Sequence, residues 1–131
     1  MTFKRISIIG LGYIGLPTAA VFASRKQKVI GVDVIQDTVD IINAGKVHIV
    51  EPGLELMVEE GVKSGFLRAV TSPEPADAFL IAVPTPFLKH ISEDSVPKPD
   101  LSYIESASRS VAKVLKKGDV DFRVNLAGWD N

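Results

Sequence analysis

Hydrophobic positions along this chain fall into short blocks with two different rhythms. Ile6–Ile9, Val29–Val32, Phe66–Val70 and Ala78–Val83 are compact, mostly apolar runs of strand length. Near-continuous apolar character is what a strand covered on both faces requires. Between these runs the apolar residues are spaced for helices. Tyr13 to about Ser24 is one such segment, with Pro17 tolerated near its first turn because the earliest amides of a helix have no intrahelical partner. Gln36–Ala44 carries Val39, Ile41 and Ile42 and stops at Asn43-Ala44-Gly45, a suitable C-terminal cap.

Glu51-Pro52-Gly53 opens a further helix with Leu54, Met57, Val58 and Val62 on one broad face, and Gly65 ends it. Pro84 to Asp100 holds Pro84, Pro86, Pro97 and Pro99 among charged residues, which predicts a surface loop. Asp100 can then cap a helix from Leu101 to Lys117 with the stripe Ile104, Ala107, Val111 and Leu115. Ser102 with Glu105 is an alternative capping box. Strands alternating with helices predict a parallel sheet with helices on both faces.

The first strand runs directly into Gly10, Gly12 and Gly15, spaced G-x-G-x-x-G, with a helix following at once. Gly10 allows a tight exit from the strand, Gly12 presents no side chain to a pyrophosphate, and Gly15 lets the helix pack closely on its strand. Free amides and the helix dipole at that start favour a phosphate. The second strand ends in Asp33, about 20 residues further on, where a dinucleotide fold places the acid that holds the adenosine ribose hydroxyls. The competing structural reading is that Asp33 only caps the next helix. These features predict a Rossmann-like α/β domain. No arginine follows Asp33 in Val34-Ile35-Gln36, which favours NAD over NADP. Thr85 leaves the carboxyl end of a strand, the usual ligand side of an open α/β sheet, and is a further candidate contact.

Composition narrows the classes. The chain has 131 residues, enough for one domain with a real core. Lys plus Arg is 15 and Asp plus Glu is 16, so no nucleic acid or anionic membrane is indicated as partner. Cysteine is absent, which excludes disulfides and thiolate metal ligands. His48 and His90 have no second ligand at metal spacing and read as loop residues, so no metal site is expected. Without a leader pattern or a membrane-length apolar run, a soluble, cytoplasmic protein is the expectation.

Gly10-Leu-Gly12-Tyr-Ile-Gly15-Leu-Pro17, Gly31-Val-Asp33, Glu51-Pro-Gly-Leu54 and Ala82-Val-Pro-Thr-Pro86 occur in this order. From Lys4 to about Gly118 the chain thereby resembles the nucleotide-sugar dehydrogenases, which oxidise a UDP-hexose to a UDP-uronic acid. His48-Ile-Val-Glu51-Pro52 and Thr18–Ser24 are most similar to the branch that acts on UDP-N-acetyl-D-mannosamine, whose enterobacterial members supply enterobacterial common antigen. The resemblance implies a four-electron oxidation at the sugar C6 with two NAD, through a thioester on a cysteine. It also implies that this nucleophile and the UDP-sugar pocket lie in later segments, and that full-length relatives form homo-oligomers. By the same resemblance Gly10, Gly12, Tyr13, Ile14, Asp33 and Thr85 are NAD contacts, while Thr38 replaces a basic residue that many relatives carry.

Residues 119–131 depart from the family pattern, which continues with a strand and a Glu-Ser-Thr-x-x-Pro-x-Gly-Thr loop. Codons permitted for Arg123 to Asn131 include a set that reads Glu-Ser-Thr-Ser-Pro-Val-Gly-Thr one base later; only the glycine is forced, by the Trp129 codon and the one after it. The expectation is therefore an NAD-binding domain over 1–118 and an aberrant, frameshifted tail, truncated and inactive alone. Loss of the following strand would leave an exposed sheet edge and poor solubility. A stand-alone NAD-sensing module is the main alternative, and a methyltransferase-like fold a lesser one.

Overall fold

A computed structural model of the chain describes residues 3–84, 86 and 100–123. Five parallel strands form one sheet in the order β3-β2-β1-β4-β5: β1 Ile6–Ile9, β2 Val29–Val32, β3 Leu67–Val70, β4 Ala78–Ile81 and β5 Val120–Arg123. Ile8 sits opposite Gly31 on one side and Leu80 on the other, and Leu80 opposite Phe122. The strand order reverses direction between β1 and β4, and such a switch point opens a crevice at the carboxyl ends of the strands.

Helices α1 (Gly15–Ser24), α2 (Gln36–Asn43) and α3 (Leu54–Lys63) pack on one face, where Ile8, Leu16, Ile42 and Val58 are fully buried. Helix α4 (Ser102–Ala112) covers the other, with Ala107 and Val111 against Ile9, Ile30, Phe79 and Ile81. Helices thus lie on both faces, as the sequence predicts. Gly61 of α3 brings that helix close to α1: a β-carbon there would stand 3.3 Å from the Ala23 Cβ.

Several polar groups fix the outline. Asp77, just before β4, accepts hydrogen bonds from the Lys4 and Arg5 amides and so ties the start of β1 to its neighbour. At the β3 edge, Asn43 from the last residue of α2 donates to the Ala69 carbonyl and accepts from the Ala69 amide, both at 2.9 Å. Arg68 and Glu74 form a two-pronged ion pair at 2.9 and 2.8 Å.

Four expectations need correction. α1 starts at Gly15 instead of Tyr13, because Gly10 to Ile14 form the loop that turns the chain out of β1. α4 ends at Ala112, short of Lys117; the chain then turns with Val114 and Leu115 amides on the Val111 carbonyl, so Val114 packs on the core and Leu115 is exposed. The strand after Gly118 is present: Val120–Arg123 pairs with Ala78–Ile81 as β5. At the start of α4, Asp100 accepts from both the Ser102 amide and hydroxyl, so that hydroxyl is committed and the box with Glu105 is not what forms. These bonds, the hydroxyl first, hold the Asp100 carboxyl below the usual aspartate range.

Candidate functional site

A cavity of about 1000 Å³ opens at the carboxyl ends of β1, β2 and β4. Its wall includes Gly10, Gly12, Tyr13, Ile14 and Asp33, all anticipated from the sequence. Gly15 lies one residue beyond, as the first residue of α1, and is buried. Thr85 and His90 fall outside the described residues, although Ala82, Val83 and Pro84, which lead up to Thr85, line the cavity.

Each glycine meets a separate steric demand. Gly10 adopts φ +98°, a left-handed conformation, and a β-carbon there would stand 2.6 Å from the Ala82 carbonyl oxygen. A β-carbon at Gly15 would fall 1.6 Å from the Gly10 carbonyl oxygen, so the loop closes only with hydrogen at that place. At Gly12 a β-carbon would meet nothing within 4 Å. The fold does not need glycine there; open space is left on the cavity side.

The loop also presents donors. The Leu16 amide returns to the Gly12 carbonyl and the Thr18 amide and hydroxyl to the Ile14 carbonyl, which starts α1. Among the described residues no acceptor takes the amides of Gly12, Tyr13, Ile14 or Gly15. Four such N–H groups at a helix start, with the positive end of its dipole behind them, suit a diphosphate. Hydrogen bonds to a charged acceptor contribute roughly 1.5–3 kcal/mol each before ordering costs.

Asp33 follows β2 and faces the cavity. Its Oδ1 accepts from the Ile35 amide at 3.0 Å and its Oδ2 from the Leu11 amide at 3.2 Å. A carboxylate offers about four lone-pair directions, so both oxygens keep one for sugar hydroxyls. The residue preceding α2 is Ile35, so the bond to its amide lets Asp33 shape the turn into the helix, while the bond to Leu11 ties the same carboxylate to the glycine loop. Donors and acid therefore share one crevice with the polarity a dinucleotide needs: amides for its phosphates, a carboxylate for its ribose.

Other parts of the wall are only touched by sequence reasoning or missed by it: Thr38 enters just as the replacement of a basic residue and His48 as a loop histidine, while Thr71, Ser72, Ser106 and Ser110 are not anticipated. Thr71 and Ser72 follow the carboxyl end of β3, and the rule that pointed to Thr85 could have found them. His48 and the two α4 serines arrive only through tertiary packing, which no local pattern encodes. Among the described residues no group of three or more His, Cys, Asp or Glu side chains could hold a metal ion. No helix among them is long and apolar enough to cross a membrane.

Comparison with known proteins agrees with this geometry. Residues 4–122 match the model of the UDP-glucose/GDP-mannose dehydrogenase family, NAD binding domain. The chain is 62% identical over 118 residues to a UDP-N-acetyl-D-mannosamine dehydrogenase of Campylobacter jejuni, covering 90% of this chain and 28% of that protein. It is 61% identical over 118 residues to an NDP-N-acetyl-D-galactosaminuronic acid dehydrogenase of Ralstonia nicotianae, covering 90% of this chain and 26% of the relative. The structure of a UDP-N-acetyl-mannosamine dehydrogenase from Staphylococcus aureus superposes with TM-score 0.85 at 40% identity, over 92% of this chain and 28% of that one. The chain thus spans little more than a quarter of the relatives it matches. It belongs to the UDP-glucose/GDP-mannose dehydrogenase family and carries that family's NAD-binding domain.

Proposed function

We propose that this chain is the cofactor-holding portion of a nucleotide-sugar 6-dehydrogenase acting on UDP-N-acetyl-D-mannosamine and yielding the uronate, in the cytoplasm. NAD supplies the hydride acceptor. The chain's own residues do the holding: the amides of Gly12 to Gly15 receive the diphosphate, Gly12 gives it room, and Asp33 binds the adenosine ribose. The observation that carries this reading is the meeting, in one cavity, of the Asp33 carboxylate and loop amides that have no acceptor among the described residues. The sugar assignment rests on identity to relatives of that name and on the stretches Thr18–Ser24 and His48–Pro52.

With no cysteine in the sequence, the thioester chemistry that the resemblance implies has no nucleophile here. The chain by itself therefore binds NAD and turns nothing over. Titration with NAD and NADP, followed by an assay of NADH formation with UDP-N-acetyl-D-mannosamine, tests both halves. Binding of NAD without turnover is expected; NADH produced by the purified chain would refute the inactive reading, and preference for NADP would refute the role given to Asp33. The departure of residues 119–131 from the family pattern is assigned to a shifted reading frame, and sequencing the gene past Gly118 would reject this if no dehydrogenase frame continues there.

A further inference from the structure

We propose that Asp33 is also a positioning residue for the phosphate loop: through Leu11 it presets the amides of Gly12 to Gly15 before any cofactor arrives. The inference rests on the NAD-domain reading and concerns a contact 22 residues apart in sequence. Leu11 has no exposed surface, and an amide in such a position needs an acceptor. Among the described residues the acceptor is the Asp33 Oδ2. The Leu11 side chain is held as well, seated over Gly31 of β2, where a β-carbon would come within 2.8 Å of Leu11 Cδ2.

Just before it, the Gly10 amide donates to the Val32 carbonyl at 2.7 Å. Leu11 is thus pinned to β2 by its side chain, by its amide and by its neighbour, and Gly12 follows directly. Without the carboxylate, the buried Leu11 donor loses its partner and the loop must turn to satisfy it. The remaining lone pairs of Asp33 leave the ribose contact intact, so the two tasks coexist on one side chain.

Asp33→Asn separates them. An asparagine oxygen can keep the Ile35 amide, but its NH₂ then faces the Leu11 N–H. On the ¹⁵N-labelled full chain without ligand, backbone order parameters at Gly12 to Gly15 are expected to fall while those of β1 and α3 stay constant. Inorganic pyrophosphate, which has no ribose, should bind about fivefold more weakly. A carboxylate that served only the sugar predicts the opposite sign, since removing a negative charge beside a polyanion tightens its binding. Unchanged order parameters, or pyrophosphate affinity equal to or above that of the parent chain, would overturn the proposal.

Should the variant not fold, the parent chain decides. A scalar coupling across the hydrogen bond from the Leu11 nitrogen to the Asp33 carboxyl carbon supports the assignment, and its absence overturns it. A failed NAD reading would show differently, as a parent chain that binds neither NAD nor pyrophosphate while these ligand-free measurements still report on the Leu11 contact.

Discussion

Gly12 and Gly15 separate two requirements that a glycine motif usually confounds, room for the fold and room for the ligand. A methyl group at Gly15 collides with backbone, so Gly15→Ala should cost about 1–3 kcal/mol or more in a denaturant titration and abolish NAD binding with it. Gly12→Ala meets no atom within 4 Å among the described residues, so its melting temperature should stay within about 2 °C of the parent while NAD binds roughly tenfold more weakly. Equal losses of stability in both variants would contradict this division. Ser7 is a different case. It is fully buried in β1 between Ile30 and Phe79, and its hydroxyl has no partner among the described residues. Removing an unsatisfied hydroxyl relieves its desolvation, so Ser7→Ala should be neutral or stabilising by up to about 1 kcal/mol, read from the denaturation midpoint.

Helix and strand ends show how far sequence carries. The Asp100 position was legible because an acid before a helix acts locally, and so were β1, β2 and the start of β4, whose runs are almost wholly apolar. The end of α4 was not: Leu115 fits the helical stripe, yet the chain tightens after Val111 and turns Val114 inward. In the site the same division holds. The glycines and Asp33 are bound to strand ends, whereas Leu11 acts through its amide, which no side-chain pattern reveals. The Arg68–Glu74 pair joins β3 to the following loop, and the guanidinium's hydrogen bond lowers the Glu74 carboxyl below the usual glutamate range. A depressed acid stabilises the fold above its unfolded value, near 4.5, and loses that contribution as pH falls through the lower folded value. Both side chains are more than a third exposed, so the contribution is small, at most about 1 kcal/mol. Glu74→Gln should flatten the part of the stability profile below about pH 4.5 by a few tenths of a kcal/mol.

At the scale of the molecule, the fold is complete enough to shape a cofactor crevice but leaves apolar surface uncovered. Val50 is 92% exposed, and Val21, Phe22 and Leu56 are also outward. Scattered apolar residues are ordinary, but several outward ones on so small a domain invite association. Sedimentation at rising concentration should show self-association, reduced by Val50→Lys; a monodisperse monomer with a sharp melt at every concentration would exclude it. The fold class was readable in advance because alternating runs permit few arrangements, whereas the strand order β3-β2-β1-β4-β5 came only with the structure. The fate of β5 was not, since judging Val120–Arg123 by its departure from a family pattern obscured that Val-Asp-Phe-Arg can still pair as a strand.

The Asn43 side chain has a consequence beyond α2. By answering both the outward amide and the outward carbonyl of Ala69 it finishes the β3 margin, much as a selvedge finishes cloth. A strand adding at this margin would have to displace Asn43 from Ala69, which favours the β5 side for any extension of the sheet. Asn43→Ala would unseal the opposite margin, letting a β-strand peptide dock at Ala69 that the parent turns away.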